Sequence, residues 1–339
     1  GGLLGLMGDN SELVCAAMAL GMSGAEWLSM IASIVLYIYW GKKAKTPSFP
    51  EEKPTSLSAL SRIALPDGLG AAARSVLLTA EHLLIPRGLR KSGENSQTAL
   101  ATYGTIHGMT LPLLLYPSAL LSSLTGLIIP ELARLRTEGK NLRIGGVSSR
   151  LIHWTLVFGL GTAACFYAFA PQLSAAIYGD FITVDSIRLL APLIPAMFLD
   201  MCVDGILKGL DEQKSVMSYN VLDSALCVLM VLFLLPPMGV KGYYLILYAA
   251  ELLNLTLSAA RLLKVSDASV NIWESGVKSL LCAGAAWVIV QLLFAKTAAA
   301  MPAVMSAILL VSFMALIYMA LINFFTRKGE KFADLVGIR

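Results

Sequence analysis

Charge is what this sequence has least of. Asp, Glu, Lys and Arg make up 14% of its 339 residues, against about 25% in ordinary water-soluble domains. Hydrophobic residues reach 57% and the mean hydropathy is +0.72. A soluble fold of this length would lack the charges to cover its surface, so the working unit is the membrane-spanning helix rather than the domain. Cysteine chemistry is missing as well. The five cysteines stand singly inside apolar runs with no C-x-x-C spacing and no neighbouring histidine, and they read as small buried hydrophobes rather than metal or redox groups. No cofactor or metal is expected. The chain opens Gly-Gly-Leu-Leu, without an initiator Met or a basic leader, and reads as truncated at its start. The net charge of +4 is small, and nucleic acid is not an expected partner.

Crossing a hydrocarbon core about 30 Å thick takes roughly 20 apolar residues in helix, because backbone polar groups in lipid must be satisfied within the segment. On that rule nine spans are expected, near 11–40, 58–86, 98–129, 150–171, 186–207, 214–235, 241–263, 271–295 and 301–325. The second is interrupted by Arg62, Asp67, Arg74 and Glu81. Polar or proline-bearing breaks separate the spans, as at 42–54, 90–95 and Pro236-Pro237-Met238-Gly239. No connection is long enough to fold as a soluble domain, which removes the extramembrane acidic loop expected of a polytopic glycosyltransferase.

Lysine and arginine are retained on the cytoplasmic side. One alternating set of loops, with the C-terminal tail, carries 17 of them; the other set carries 6, namely Arg87, Arg90, Lys91, Arg188, Lys241 and Lys296. A missed or invented span would have scrambled this alternation. The expected location is a bacterial cytoplasmic (inner) membrane, multi-pass, with the C-terminus in the cytoplasm.

Residues 81–131 read E-H-L-L-I-P-R-G-L, then A-L-A-T-Y-G-T-I-H-G-M-T-L-P-L-L-L-Y-P-S-A-L-L-S-S-L-T-G-L-I-I-P-E-L. Later come A-P-L-I-P at 191–195, D-G-I-L-K-G-L-D-E-Q at 204–213 and Y-N-V-L-D-S-A at 219–225. In these stretches the chain resembles the stage V sporulation protein B and polysaccharide-biosynthesis family. That family lies within the multidrug/oligosaccharidyl-lipid/polysaccharide flippase superfamily, which also holds the MATE antiporters. The resemblance implies a MATE-like all-α bundle of two six-helix lobes followed by two further helices. On that pattern 1–57 is the last helix of the N-terminal lobe and a cytoplasmic linker, 58–265 the second lobe, and 266–339 two C-terminal helices and a tail. It implies a flippase for a polyprenyl-pyrophosphate-linked oligosaccharide or peptidoglycan precursor, in envelope or spore-cortex biogenesis. Lipid-linked sugar and membrane lipid would be its partners. With one lobe complete, the segment alone is not expected to transport. A cation-coupled multidrug antiporter and a non-transporting membrane scaffold are the alternatives; an enzyme is not expected.

Ionisable groups at membrane depth are costly and usually face a cavity or a partner. Arg74 and Glu81, seven residues apart on one helix face, are the first candidates, Arg74 for the pyrophosphate. His107 is a further cavity candidate; it and His82 also suit ordinary packing. Asp200, Asp204 and Glu251 could bind a coupling cation, although pairing of Asp204 with Lys208 one turn on is the favoured reading. Asn254 forms a patch with Glu251, while Asp223 and Glu26 have no partner nameable from sequence. Pro112 and Pro117 are candidate hinges, with Pro130 bending the same span. Gly104-x-x-x-Gly108 and Gly205-x-x-x-Gly209 are candidate close-approach sites. Gly21-Met22-Ser23-Gly24 matches a motif of intramembrane serine proteases, but neither His107 nor His153 has the surrounding pattern of a base.

Overall fold

A computed structural model describes residues 11–43, 57–93, 95–266, 268, 273–299 and 301–325. The chain divides into two units, Gly1–Arg62 and Ile63–Arg339. Among the described residues there is no strand: the protein is an all-α polytopic membrane protein, with six helices long and apolar enough to cross a bilayer. In the first unit, α1 (Ser11–Lys43) is apolar over Ser23–Tyr39.

Helix α2 (Leu57–Lys91) starts before the boundary at Arg62 and, within the second unit, ends in the basic turn Arg90-Lys91. The expected third span is segmented. It runs as α3 (Ser96–Tyr103), a π-helical stretch Gly104–Thr110, α4 (Leu111–Leu115) and α5 (Ser118–Thr137). Proline explains the segmentation, since it removes a backbone donor and clashes with the preceding turn. Pro112 sits in the first turn of α4 and Pro117 at the break before α5, whereas Pro130 lies inside α5 without ending it. Then follow α6 (Asn141–Ala168), α7 (Ala170–Tyr178), α8 (Val184–Leu190), α9 (Ile194–Gly209), α10 (Gln213–Val265), α11 (Lys278–Ala299) and α12 (Ala303–Phe325).

The 53 residues of α10 would extend about 80 Å if straight, far more than a bilayer. Gly239 breaks it, at φ 57° and ψ −137°, just after Pro236-Pro237. This is backbone that glycine adopts readily and other residues rarely do. The two arms, 213–238 and 240–265, fold back on one another: Asn220 and Ser258, equidistant from Gly239, both hydrogen-bond the same Asp204 carboxylate on α9. The two spans expected at 214–235 and 241–263 are these arms.

Small residues set the closest packing. A side chain on Gly205 would meet Thr125, and one on Gly209 would meet the Ile129 carbonyl at 3.1 Å, so α9 approaches α5 backbone to side chain as the motif anticipates. Gly104 and Gly108 face open space instead and make no such approach. Gly161 lies against the Tyr318 ring, joining α6 to α12.

The basic loops gather at one end of this unit. Arg261, near the end of α10, makes a bidentate ion pair with Glu212 in the α9–α10 turn, at 2.8 to 3.0 Å, and Arg136 at the end of α5 lies within electrostatic reach of the same carboxylate. At the opposite end Ser92, just past α2, sits against Gly239. Within this unit, the basic-side positions Arg136, Glu212 and Arg261 therefore meet at one end, and the turn after α2 lies at the other.

Candidate functional site

Apolar residues form two layers in the helices around α9. One contains Ile85, Leu89, Phe198, Val231, Leu235, Tyr243 and Ile246. The other contains Val203, Ile206, Leu207, Val216 and Leu262. Along α9 and both arms of α10, the stretches between these layers carry most of the ionisable side chains that the spans contain.

The seam is built by helical spacing. Asp200 and Asp204 are one turn apart and share a face of α9. Asn220 and Asp223 stand at i and i+3 on the first arm of α10, and Glu251, Asn254 and Ser258 at i, i+3 and i+7 on the second. Asn254 Nδ2 donates to Asp200 Oδ2 at 2.9 Å. Asn220 Nδ2 donates to Asp204 Oδ2 at 3.2 Å and to the Val216 carbonyl at 2.9 Å. Ser258 Oγ donates to Asp204 Oδ1 at 3.0 Å. Asp204 is thus engaged by both arms of α10, and the pairing with Lys208 does not form: Lys208 is exposed and makes no salt bridge with any described residue.

Three oxygens in the seam are left over. Asp200 Oδ1, Asp223 Oδ1 and Asn254 Oδ1 are buried without a hydrogen-bond partner; Asn254 as a residue is only 5% exposed. A buried polar atom left unmade costs about 1–3 kcal/mol, so three acceptors together ask for a donor or a cation. None of Asp200, Asp204, Asp223 and Glu251 makes a salt bridge with a described residue. Arg74, exposed on α2, is within electrostatic reach of Asp200 and Asp223. Carboxylates sharing one layer repel when ionised, and the repulsion is relieved either by a cation or by protonation of some members. Among the described residues no group of three or more His, Cys, Asp or Glu has the geometry of a metal site.

Two turns along α2, about 10 Å from Arg74 by helical rise, a second polar group begins. Glu81 is within hydrogen-bonding reach of the Cys227 thiol and within electrostatic reach of Asp223. His82 Nδ1 and Tyr103 Oη are 2.9 Å apart. His107, inside the π-helical stretch, stacks on Tyr103 with ring centroids 5.2 Å apart and meets His82 edge-on at 4.5 Å. Tyr243 closes the group from the second arm of α10, 6.4 Å from Tyr103, and its buried hydroxyl has no partner. The wider π turn is what brings the His107 ring onto α2, since an extra residue per turn rotates the side chains that follow it.

The structure therefore brings the sequence candidates together in two groups joined by α2. Arg74 lies within electrostatic reach of Asp200 and Asp223, which share their layer with Asp204 and Glu251, while Glu81 and His107 gather with His82, Tyr103 and Tyr243. Asp223, Asn220, Ser258, Tyr103 and Tyr243 were not assigned roles from sequence. The i, i+3 pair Asn220–Asp223 was the available signal, but its partner helix is fixed only by the fold-back at Gly239. Cys202, Cys227 and Cys282 are buried and Cys165 half-buried; the Cys15 side chain, like that of Asp67, lies outside the described residues. His153, 2.7 Å from Ser275 Oγ, belongs to neither group.

A separate cleft of about 740 Å³ lies between α5, α6 and α12, lined by Leu120, Leu124, Trp154, Phe158, Tyr318 and Met319 among others, with no charged side chain. It has shape but no group able to recognise an ion.

No family model matches this chain, and no solved structure does. Among curated proteins the chain is similar to stage V sporulation protein B of Bacillus subtilis (strain 168), with 26% identity over 200 residues. The match covers 57% of this chain and 38% of that protein, so the chain spans well under half the length of the relative it matches.

Proposed function

We propose that this chain is part of a membrane flippase that carries a polyprenyl-pyrophosphate-linked oligosaccharide or peptidoglycan precursor across the cytoplasmic membrane of a bacterium. The observation that carries the reading is Arg74: an exposed guanidinium on α2, within electrostatic reach of the Asp200 and Asp223 carboxylates. A forked cation of this kind suits a diphosphate, and the surrounding carboxylates supply the competing charge from which a headgroup would have to displace it. Binding and release of the headgroup then become an exchange of partners at Arg74, with Glu81 and His107 lining the path. Similarity to a protein named for sporulation supports a role in envelope or spore assembly.

In this reading residues 58–265 act as one lobe of a two-lobed, MATE-like transporter, with 1–57 ending the preceding lobe and 266–339 forming a C-terminal helix pair. The basic end of the bundle and the C-terminus face the cytoplasm. Pro112 and Pro117 are where the segmented third span would bend during alternating access.

A cation-coupled antiporter is the second reading, favoured by the unpartnered oxygens of Asp200, Asp223 and Asn254. The two readings divide on Arg74. In the full-length protein, Arg74→Ala should lower precursor flipping about 100-fold, the equivalent of roughly 3 kcal/mol, and leave thermal stability in detergent unchanged. Flipping at the wild-type rate without Arg74, together with loss of transport in Asp204→Asn, would favour the antiporter. A build-up of lipid-linked precursor in the cytoplasmic leaflet on deleting the gene is the cellular expectation.

A further inference from the structure

The C-terminal end of α2 carries Arg87, one turn before its end, and Arg90 and Lys91 in its last turn, all exposed. Spaced i, i+3 and i+4, they share a helix face, where like charges repel. Cations do complement the C-terminal end of a helix dipole, which accounts for the last turn being basic but not for three on one face. Among the described residues no carboxylate answers them: the salt bridges involve Glu131, Glu138 and Glu212, at the other end of the unit. Glu94, in the adjoining loop, lies outside the described residues.

The three side chains do not close on protein. With Asn95 and Ser96 they line a cleft of about 610 Å³. Ser96 opens α3, and Asn95 at the capping position makes no side-chain hydrogen bond to that helix, so the first-turn N–H groups stay open beside the cations. The contact between Ser92 and Gly239 places the cleft at the end of the unit away from Arg136 and Arg261. That end holds 6 of the loop lysines and arginines by the count above, and half of them are these three. Loops on the far side of a membrane are depleted in such residues; a cluster there runs against the compositional trend.

We propose that this cleft binds a phosphoryl anion, either the headgroup of an anionic membrane lipid or a free diphosphate from the aqueous phase. Arg87 and Arg90 supply planar forks for phosphate oxygens and Lys91 a point charge. The Ser96 hydroxyl and the open N–H groups of α3 complete the donor set. The site is distinct from Arg74, which lies 13 residues earlier on α2, about 20 Å away by helical rise. The proposal concerns binding alone, so it does not depend on the flippase reading and can fail without it.

The test uses the full chain in phosphatidylcholine nanodiscs, titrated with inorganic pyrophosphate by calorimetry. In parallel, the chain in neutral detergent is titrated with short-chain phosphatidylglycerol and read by native mass spectrometry. The wild type should bind at least one probe. A response to phosphatidylglycerol alone identifies the lipid headgroup as the source, and a response to pyrophosphate identifies the free anion. The triple variant R87Q/R90Q/K91Q should weaken that binding at least tenfold. The triple variant K208Q/K214Q/K264Q, at the other end of the unit, should leave it within twofold. Ser96→Asp, which puts a negative charge into the cleft without altering α2, should also weaken binding tenfold and covers the case in which the α2 triple variant fails to fold. Absence of binding to both probes, or equal weakening by the two triple variants, would overturn the proposal.

Discussion

Where α12 packs on α6, the contact is Gly161 against the Tyr318 ring, within a layer of Trp154, Cys282, Ala286, Leu310 and Met314. Where α9 packs on α10, it is Asp200 and Asp204 against Asn220, Asn254 and Ser258. The first contact is built on shape and the second on charge. In lipid, apolar association gains little beyond close packing, because acyl chains solvate leucine as well as protein does. Helix pairs can therefore be held largely by glycine and ring, as α6 and α12 are, with one hydrogen bond from the Tyr318 hydroxyl to the Val157 carbonyl at 2.7 Å. Burying carboxylates between helices is the expensive alternative, which on the proposed reading marks where ions are handled. The difference separates scaffold from site.

If that division is right, the two contacts should fail for different reasons. The largest effect expected is in the scaffold: Gly161→Leu drives a side chain into Tyr318 and should cost about 3 kcal/mol in thermal denaturation in detergent. In the seam, volume should matter less than polarity. Asp204→Leu strands Ser258 Oγ and one Asn220 N–H and should cost about 2 kcal/mol, whereas Asp204→Asn should cost less than half of that. Equal losses for the two Asp204 variants would erase the comparison.

At the end of the spans, where Glu212 in the α9–α10 turn meets Arg261 of α10, the pair should show a smaller, pH-dependent effect. Burial opposes ionisation there, but hydrogen bonds from Ser215 and Arg261, with the charges of Arg261 and Arg136, hold the Glu212 carboxylate below its ordinary range. A carboxylate lowered on folding stabilises the protein at pH above its unfolded pKa, and that contribution is lost as the pH falls through the folded one. Arg261→Ala should therefore cost about 1 kcal/mol at pH 7, and the gap between variant and wild type should narrow below pH 4. A gap that widens in acid would contradict this. The smallest effect is expected at Leu127, 75% exposed on α5: Leu127→Ala should stay within about 0.5 kcal/mol and leave transport unchanged.

Much of the fold was legible because membrane helices announce themselves by length and by loop charge. The expected spans fall largely on helices among the described residues, six of which are long and apolar enough to cross a bilayer, and the alternation of lysine and arginine picked out the end where Arg136, Glu212 and Arg261 meet. The hairpin of α10 could also be read, since Pro236-Pro237-Met238-Gly239 breaks it where the structure does. The site was legible only residue by residue. Arg74, Glu81, Asp200 and Asp204 stood out by their cost at membrane depth, but partnership depends on which faces meet. Asp204 shows the limit: one-turn spacing pointed to Lys208, and the fold-back of α10 supplied Asn220 and Ser258 instead. His107 shows another, because a π turn changes which face a side chain occupies and leaves no mark in an apolar periodicity.

The central claim is that exposed Arg74, beside the polar seam, faces water within the bilayer while exposed Leu127 faces lipid. In a background with the five native cysteines replaced, Arg74→Cys and Leu127→Cys can be compared in native membranes with a charged, water-soluble maleimide, which reacts only with thiols that can ionise. The account predicts that Arg74→Cys is modified at least ten times faster than Leu127→Cys. Equal protection of both positions, or faster labelling at Leu127, would contradict it.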